Sequence, residues 1–506
     1  MVIVLLTTEE IQSFVNNDMN DATKKHARTG EKYYNGDHDI LNYKLFYYNA
    51  NGQLIEDNTK SNIRVSHAFF RELVDQLVQY ILSSDERFVL SDNYDLQLIL
   101  DDYFNYNDDF ILEMSELLTG VSVKGSEFMH VCTDVKGNII FKCADSLKLI
   151  EVREKDTNDN CKYVIYYYTD RIVKNNKAIK KIQVWTDKEV YFYVQEDNGK
   201  VIADDSQDIN PMPHILYRKK GDEKLYFSNF GYIPFLRLDN NKTRTSDLKL
   251  IKSLIDDYDL MSCGLSNNIQ DASEYFVIVK DYQGDNLDEL INNIKVKKHI
   301  GVDEDGGVEF KTIDIPYEAR KAKLELDEKN IYRFGFGLNT NGLKDTSAST
   351  NIAIKAAYSL LDLKANKLEK RLKHFLRMLV NIVLSHTNAV NKTDYQLKDV
   401  YFSFKRNIPT NAQENAQIEY TKEQTKQLAI NTILNTASLI DNETVIKSIC
   451  DILDIDYEDI KDKINEGEVL ESIKEAEKAL LEEGGEGDEE TEGSAAGDTK
   501  QREENT

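Results

Sequence analysis

The feature that most constrains this chain is one long apolar seam near its middle. From about Thr350 to about Leu384, the residues Leu361, Leu368, Leu372, Phe375, Leu379 and Ile382 fall on one face at helical spacing. At 1.5 Å per residue, such a helix is about 50 Å long. It also departs in charge from the rest of the molecule. Between residues 351 and 384, Lys355, Lys364, Lys367, Lys370, Arg371, Lys373 and Arg377 face only Asp362 and Glu369, whereas the whole chain carries 89 acidic against 63 basic residues and a net charge of -26. Such a helix either sets a local positive field or pairs with acidic faces of its neighbours, and the second reading is preferred.

The 506 residues suffice for several sub-domains around sizeable cores. The acidic excess argues against a protein that wraps nucleic acid, because phosphate binding rests on Lys and Arg. Cys132, Cys143, Cys161, Cys263 and Cys450 are odd in number and widely spaced, which indicates neither a zinc site nor a disulfide framework. The apolar start ends at Leu6 without a basic flank, and no window reaches the roughly 18 apolar residues of a membrane span. The expectation is a soluble protein, intracellular where it is made.

Residues 1 to about 65 are polar and tyrosine-rich, with a turn at Tyr33-Tyr34-Asn35-Gly36-Asp37. Phe69, Leu73, Leu77 and Ile81 mark a helix, and a second helical run covers about 109 to 120, stopping at Gly120. From Phe128 to about Tyr217 the period shifts towards two, with turns at Lys136-Gly137 and Asn198-Gly199, as in an antiparallel meander. Pro211, Pro213 and Pro234 mark a boundary ahead of Asn240-Asn241-Lys242.

Ser246 and Asp247 then open a helix running to about Asp271, with Leu248, Ile251, Ile255 and Tyr258 on one face. A small α/β module follows: a strand from Tyr275, a short helix from Asn286 to Ile294, a strand from His299, a turn at Asp305-Gly306-Gly307 and a strand from Val308. Pro316 opens the next helix, at a position where its missing N–H costs nothing. After the long helix come a short strand over Val400-Phe404, helix from about Gln413 to Leu481, and a glycine-rich acidic tail over 482–506 that is expected to be disordered. The fold class is α+β, mainly helical.

Enzymatic signals are thin. Gly337-Leu-Asn-Thr-Asn-Gly342-Leu343-Lys344-Asp345-Thr346 has the glycine spacing of a phosphate-binding loop, but Leu343 stands where the lysine belongs, and the preceding segment is an amphipathic helix rather than a buried strand. A helix-to-helix loop is the favoured reading. Asp303-Glu304-Asp305-Gly306 lacks the bidentate Glu of a calcium loop and reads as a hairpin turn. The histidines lack metal-ligand spacing, and His67 and His374 read as core or helix-surface residues. The run from Asp451 to Asp459 reads as an acidic helix start. No catalytic residue, metal or cofactor is assigned.

The order of these segments resembles the portal proteins of tailed double-stranded DNA bacteriophages, in particular long-tailed phages of Gram-positive hosts. The residues that carry the resemblance are Tyr33 to Ile40; Leu73-Val74-Asp75 with Tyr80; Ile233-Pro234-Phe235; Ser246-Asp247-Leu248 through Asp259; Ile315 to Arg320; Ile354-Lys355 with Leu360 to Ala365; and Phe404 to Pro409. One departure is that Asn351-Ile352 stands where many relatives carry a glycine ahead of the segment matching Ala353-Ile354-Lys355. The start of the long helix can shift by a few residues as a result.

The resemblance implies a ring of about twelve copies at one capsid vertex of the virion, assembled in the host cytoplasm and traversed by DNA during packaging and ejection. Residues 1–240 would form the wing, 241–273 and 317–335 the paired stem helices, 274–316 the clip, 336–350 a tunnel loop, 351–395 the long wing helix and 396–481 the crown. The implied partners are further copies of the chain, double-stranded DNA in the channel, the terminase large subunit, the head-tail adaptor, and scaffolding and major capsid proteins. In the tunnel loop, Asn339, Thr340, Asn341, Lys344, Thr346, Ser347 and Ser349 would face DNA, and Gly335, Gly337 and Gly342 would give mobility. Arg244, Lys249, Lys252, Arg320 and Lys321 would be the basic residues of the stem. An acidic ring with few mobile polar contacts suits sliding, since six to ten ion pairs to phosphate would grip the duplex strongly. The alternatives are a phosphate-handling enzyme using residues 337–346 and a different virion or tail component.

Overall fold

A computed structural model describes residues 6–18, 20–58, 60–134, 137–153, 161–170, 179–196, 199–218, 225–271, 276–282, 286, 290, 302–311, 316–339, 351–408, 412–455 and 457. The chain forms two compact units, one of residues 1–347 and 353–408, the other of 348–352 and 409–506. The large unit opens with two helices that the polar N-terminal sequence does not announce, α1 (Thr8–Asp18) and α2 (Ala22–Tyr34). α1 buries Ile11 and Val15, with Phe14 partly buried beside them, against a core that includes Ile165, Val184 and Tyr193, a stripe of about one turn that is too short to register as helical. α2 buries the small residues Ala27 and Gly30, and a Cβ at Gly30 would overlap the Val123 carbonyl oxygen.

A hairpin of β1 (Phe46–Tyr48) and β2 (Leu54–Glu56) precedes α3 (Phe69–Ile81), the helix expected there. Then come β3 (Val89–Leu90), α4 (Tyr94–Leu100) with a π-helical turn over Asp101–Asn105, and α5 (Asp108–Lys124). α5 does not stop at Gly120. The Glu127 carboxylate fills the space a Cβ would need there, so Gly120 serves close packing, and the helix ends at Gly125 with φ 94°.

The meander is present but split between sheets. β4 (Ser126–Thr133) and β5 (Ile139–Ala144) pair, whereas β6 (Leu149–Arg153), β7 (Cys161–Thr169), β8 (Ile179–Trp185), β9 (Glu189–Glu196) and β10 (Val201–Ala203) form an antiparallel sheet in sequence order, with β11 (Met212–Pro213) on β9. β12 (Ile215–Arg218) and β13 (Leu225–Ser228) form a hairpin, and β14 (Phe235–Asp239) returns to pair with β4.

Ser246 caps a 3-10 turn over Asp247–Leu250, and α6 (Lys252–Asp271) follows, burying Ile255, Asp259 and Cys263. In the inserted module, β15 (Phe276–Tyr282) pairs with β16 (Val302–Lys311). The expected turn at Asp305-Gly306-Gly307 is instead part of one strand. The register jumps from Tyr282↔Val302 to Lys280↔Gly307, so the extra residues form an irregularity within the ladder. The short helix expected over 286–294 lies almost wholly outside the described residues.

α7 (Tyr317–Gly335) and α8 (Asn351–Asn391) complete the large unit with β17 (Tyr401–Phe402), which pairs with β3. α8 has 41 residues and is therefore about 60 Å long. All six seam residues are buried, packing with Phe70, Leu73, Leu77, Phe104, Met114 and Leu117 of the preceding helices. In the small unit, the expected continuous helix is broken into α9 (Ala412–Thr436), a 3-10 turn over Ala437–Leu439 and α10 (Asn442–Leu453), where Asp441 caps the Thr444 N–H. Asp451 closes a helix rather than opening one: Asp454 takes a left-handed conformation (φ 59°, ψ 39°) that ends α10. The remainder of the expected crown and the acidic tail lie outside the described residues.

Candidate functional site

The two candidate stem helices lie side by side. Lys323 of α7 pairs with Asp257 of α6 at 2.5 Å and with Asp327 on its own helix. With the Asn268 amide turned so that Oδ1 faces Arg320, it accepts from Nη2 at 3.0 Å, and a Cβ at Gly264 would stand 2.9 Å from Arg320 Nη1. Residues 257 and 268 thus match 323 and 320, so the helices run antiparallel.

A buried polar clamp ties the N-terminal segment to α6. His38 Nδ1 donates to Asp259 Oδ2 at 2.6 Å, and Asp259 Oδ1 accepts from His67 Nδ1 at 2.7 Å and from the His67 backbone N–H at 3.0 Å. Burial disfavours the Asp259 carboxylate, but the bonds from His38 and His67 outweigh it and hold its pKa below the usual value. Tyr33, stacked on His38 at 4.4 Å, donates its hydroxyl to Asp256, and Lys252 bridges Asp39 and Asp256 at 2.7 Å each. Farther along α6, Cys263, Asn267 and Asp271 accept the amides of Val65, Ile63 and Ser61. His67 is therefore a structural histidine, as read, but it sits beside α6 rather than on a helix surface.

The second half of the site is the exit of α7. Phe336 adopts a left-handed conformation (φ 60°, ψ 31°), Gly337 donates to the Tyr332 carbonyl at 2.9 Å, and both backbone groups of Leu338 are taken by Gln76 of α3, at 2.9 and 3.1 Å. A Cβ at Gly335 would stand 2.5 Å from Leu73 Cδ1, and one at Gly337 would overlap Leu73 Cδ2. The described structure thus gives these two glycines a close-packing role. Tyr332 is held in turn by its hydroxyl on Glu72 at 2.8 Å.

From the other side, Lys364 of α8 reaches Asp247 at 3.1 Å and the Gly335 carbonyl at 3.4 Å, while Asp247 also accepts from Ser122 and from Asn240. Arg406, in the segment after β17, packs against the same helix, pairing with its Asp362 at 2.7 Å and with its Glu369, over the ring of Tyr80. The chain leading into the segment 340–350 is thereby anchored by α3 and α8.

Of the residues expected in the loop, Thr340, Asn341, Gly342, Lys344, Thr346, Ser347 and Ser349 lie outside the described residues, and Asn339 reaches Glu328 at 3.5 Å. Among the expected stem residues, Lys252 and Arg320 are committed to the contacts above, Lys249 and Lys321 are exposed, and Arg244 sits in the loop before α6, 3.7 Å from both Glu151 and Asp239. His38, Asp259 and Gln76 do not stand out as a site in the sequence. Lone polar residues within helical or turn sequence carry no spacing that reveals partners some 190 to 260 positions away.

The decisive comparison is with known families. The family model described as "Phage portal protein, SPP1 Gp6-like" matches residues 15–480. This chain belongs to that family. Curated relatives include the portal protein of Bacillus phage SPP1, 29% identical over 391 residues (77% of this chain and 75% of that one), and the portal protein of Clostridium phage phiCD119, 26% identical over 410 residues (75% and 85%). Among solved structures, a chain of the "Neck of native GTA particle computed with C12 symmetry" matches 74% of this chain and 88% of that one, at 11% identity and a TM-score of 0.35, a likeness too weak to carry an argument.

Portal proteins are structural, so this chain is not an enzyme. The P-loop-like spelling at Gly337 follows the C-terminus of helix α7, where a phosphate cradle would need a strand. Among the described residues no helix is long and apolar enough to cross a membrane, and no cluster of ligating side chains is placed to hold a metal ion. Several segments that carried the resemblance meet in space: Tyr33 to Asp39 with Lys252 to Asp259, and Tyr80 with Asp362 and Arg406.

Proposed function

We propose that this portal-family protein forms a ring, of about twelve copies, at one vertex of the capsid, and that DNA passes through the ring during packaging and ejection. The observation that carries the reading is the family match over residues 15–480. In this reading α6 and α7 are the stem, β15 and β16 belong to the clip, and the segment 340–350 is the tunnel loop. The clip docks first the terminase large subunit, which hydrolyses ATP, and later the head-tail adaptor.

The anchoring of Leu338 and Gly335 supports that role for the loop, because a segment that meets moving DNA needs a base that does not yield with it. The three bonds from Gln76 and Lys364 to the backbone of Leu338 and Gly335 supply such a base on the side where the chain enters the loop. Negative-stain imaging of the purified protein tests the reading: rings with a central hole of about duplex width support it, and a chain that stays monomeric in every buffer removes it. Deletion within 339–347, or Lys344→Ala, is expected to permit ring assembly and impair packaging. Normal packaging by both variants removes the role of the loop.

A further inference from the structure

A cavity of about 500 Å³ opens between the turn before α6, the end of α7 and the middle of α8. Leu77 and Leu368 lie buried at its base. Its mouth carries three large apolar side chains exposed to solvent: Leu250 (65% exposed), Phe334 (49%) and Leu363 (61%). Around them stand Lys249, Lys367 and Lys370, all exposed and without a carboxylate partner among the described residues, while the neighbouring Lys364 and Lys373 are already paired with Asp247 and Glu369. Apolar surface of this size ringed by like charge marks a docking surface. A nucleic-acid backbone would satisfy the lysines but leave Leu250, Phe334 and Leu363 against a charged, hydrated polymer, so the combination favours an acidic protein face with apolar side chains of its own.

The chain carries such a face. On the outer side of α5, Asp109, Leu112 and Glu116 are spaced i, i+3 and i+7, beside exposed Asp108 and Tyr106 (63%), and Leu112 is 61% exposed. Glu113, one position on from Leu112, bonds instead to Lys142 at 2.8 Å. The opposite side of α5 is held in the core through Phe110, Met114, Leu117 and Leu118, so this face is rigid.

From this complementarity we infer that the lysine-rimmed cavity receives the α5 face of a second copy of the chain, the apolar groups meeting at the centre and the charges pairing at the rim. Two different faces of each copy are used, so the contact is head-to-tail, the type that closes into rings. This inference deepens the ring reading above and rests on it.

The test uses the full-length protein and two variants, Lys367→Glu/Lys370→Glu and Asp109→Lys/Glu116→Lys, each followed by light scattering and negative stain. Each variant alone is expected to lose rings at least tenfold relative to wild type at equal concentration, while keeping its circular dichroism. Mixed in equal amounts they are expected to co-assemble, since the two-fold acidic chain then alternates with the two-fold basic one. The four-site variant is expected to form rings again. Rings from either variant alone, or no recovery in either the mixture or the four-site variant, overturn the pairing. Normal rings with loss of double-stranded DNA retention in Lys367→Glu/Lys370→Glu assign the lysines to DNA and overturn it too. A wild-type protein that never forms rings removes the ring reading itself, a different result from failure of the exchange.

Discussion

His38 and Asp259 bond at 2.6 Å with both side chains fully shielded from solvent, 221 positions apart in sequence. This pair, with His67 on the other carboxylate oxygen, fastens the N-terminal segment to α6. Removing one partner of a buried charged contact leaves the other uncompensated. Asp259→Ala is therefore expected to cost about 3 kcal/mol or more, and to raise amide exchange at Ile63, Val65 and His67, which α6 holds by side-chain acceptors. Unchanged exchange in that stretch would show that the clamp does not secure it.

Gly335 and Gly337 pack onto Leu73 with no room for a methyl group. Gly337→Ala is expected to destabilise the protein by about 1–3 kcal/mol through overpacking. In a Leu73→Ala background the same substitution should cost less, giving a coupling energy of roughly 1 kcal/mol in a double-mutant cycle. Denaturant titration of the four proteins measures it, and equal penalties in both backgrounds would point to backbone freedom as the reason for glycine.

Gln76 satisfies both backbone groups of buried Leu338. Gln76→Ala leaves that N–H and carbonyl without a partner, a penalty of about 1–3 kcal/mol confined to the exit of α7. The expected signature is faster amide exchange at Leu338 with little change in the β-sheets. In packaging assays the variant should resemble a loop variant rather than an unfolded one.

His130 stacks on Phe235 at 4.4 Å and lies edge-on to Trp185 at 5.0 Å, with Nε2 lacking a hydrogen-bond partner among the described residues. Burial first, and nearby His214 second, press its pKa down to about 4 from an ordinary 6.5. A folded-state pKa below the unfolded one means that the unfolded chain takes up the proton first. The stability contributed by neutral His130 is complete above pH 6.5 and is lost as the pH falls from there towards 4, by up to about 3 kcal/mol. His130→Phe should flatten that part of the stability profile, measured by chemical unfolding at pH 7.5 and pH 5. An identical slope in variant and wild type would exclude His130 as its source.

Much of the helical frame was legible because it follows from periodicity. The α3 stripe and the α8 seam place apolar groups on one face, and burying that face is what the helix is for, so Phe69–Ile81 and the six seam residues match the expectation. Where the reading failed, local pattern was overruled by distant contact. Gly120 looks like a stop, yet Glu127 occupies the space beside it and the helix continues. Gly306 and Gly307 look like a turn, yet pairing with β15 draws them into a strand.

The sequence alone determined the long spine, its basic bias, the paired helices with a module between them, and the resemblance to phage portal proteins that the family match then established. Periodicity, charge and segment order are properties of neighbours along the chain, and they survive without coordinates. Only the tertiary structure decided that His38 meets Asp259, that Gln76 grips Leu338, and that three lysines of the spine and the adjoining turn ring an apolar cavity while Lys364 is spent on Asp247. Those are contacts between residues tens to hundreds of positions apart, and their energy exists only once folding has brought the partners out of water and within bonding distance.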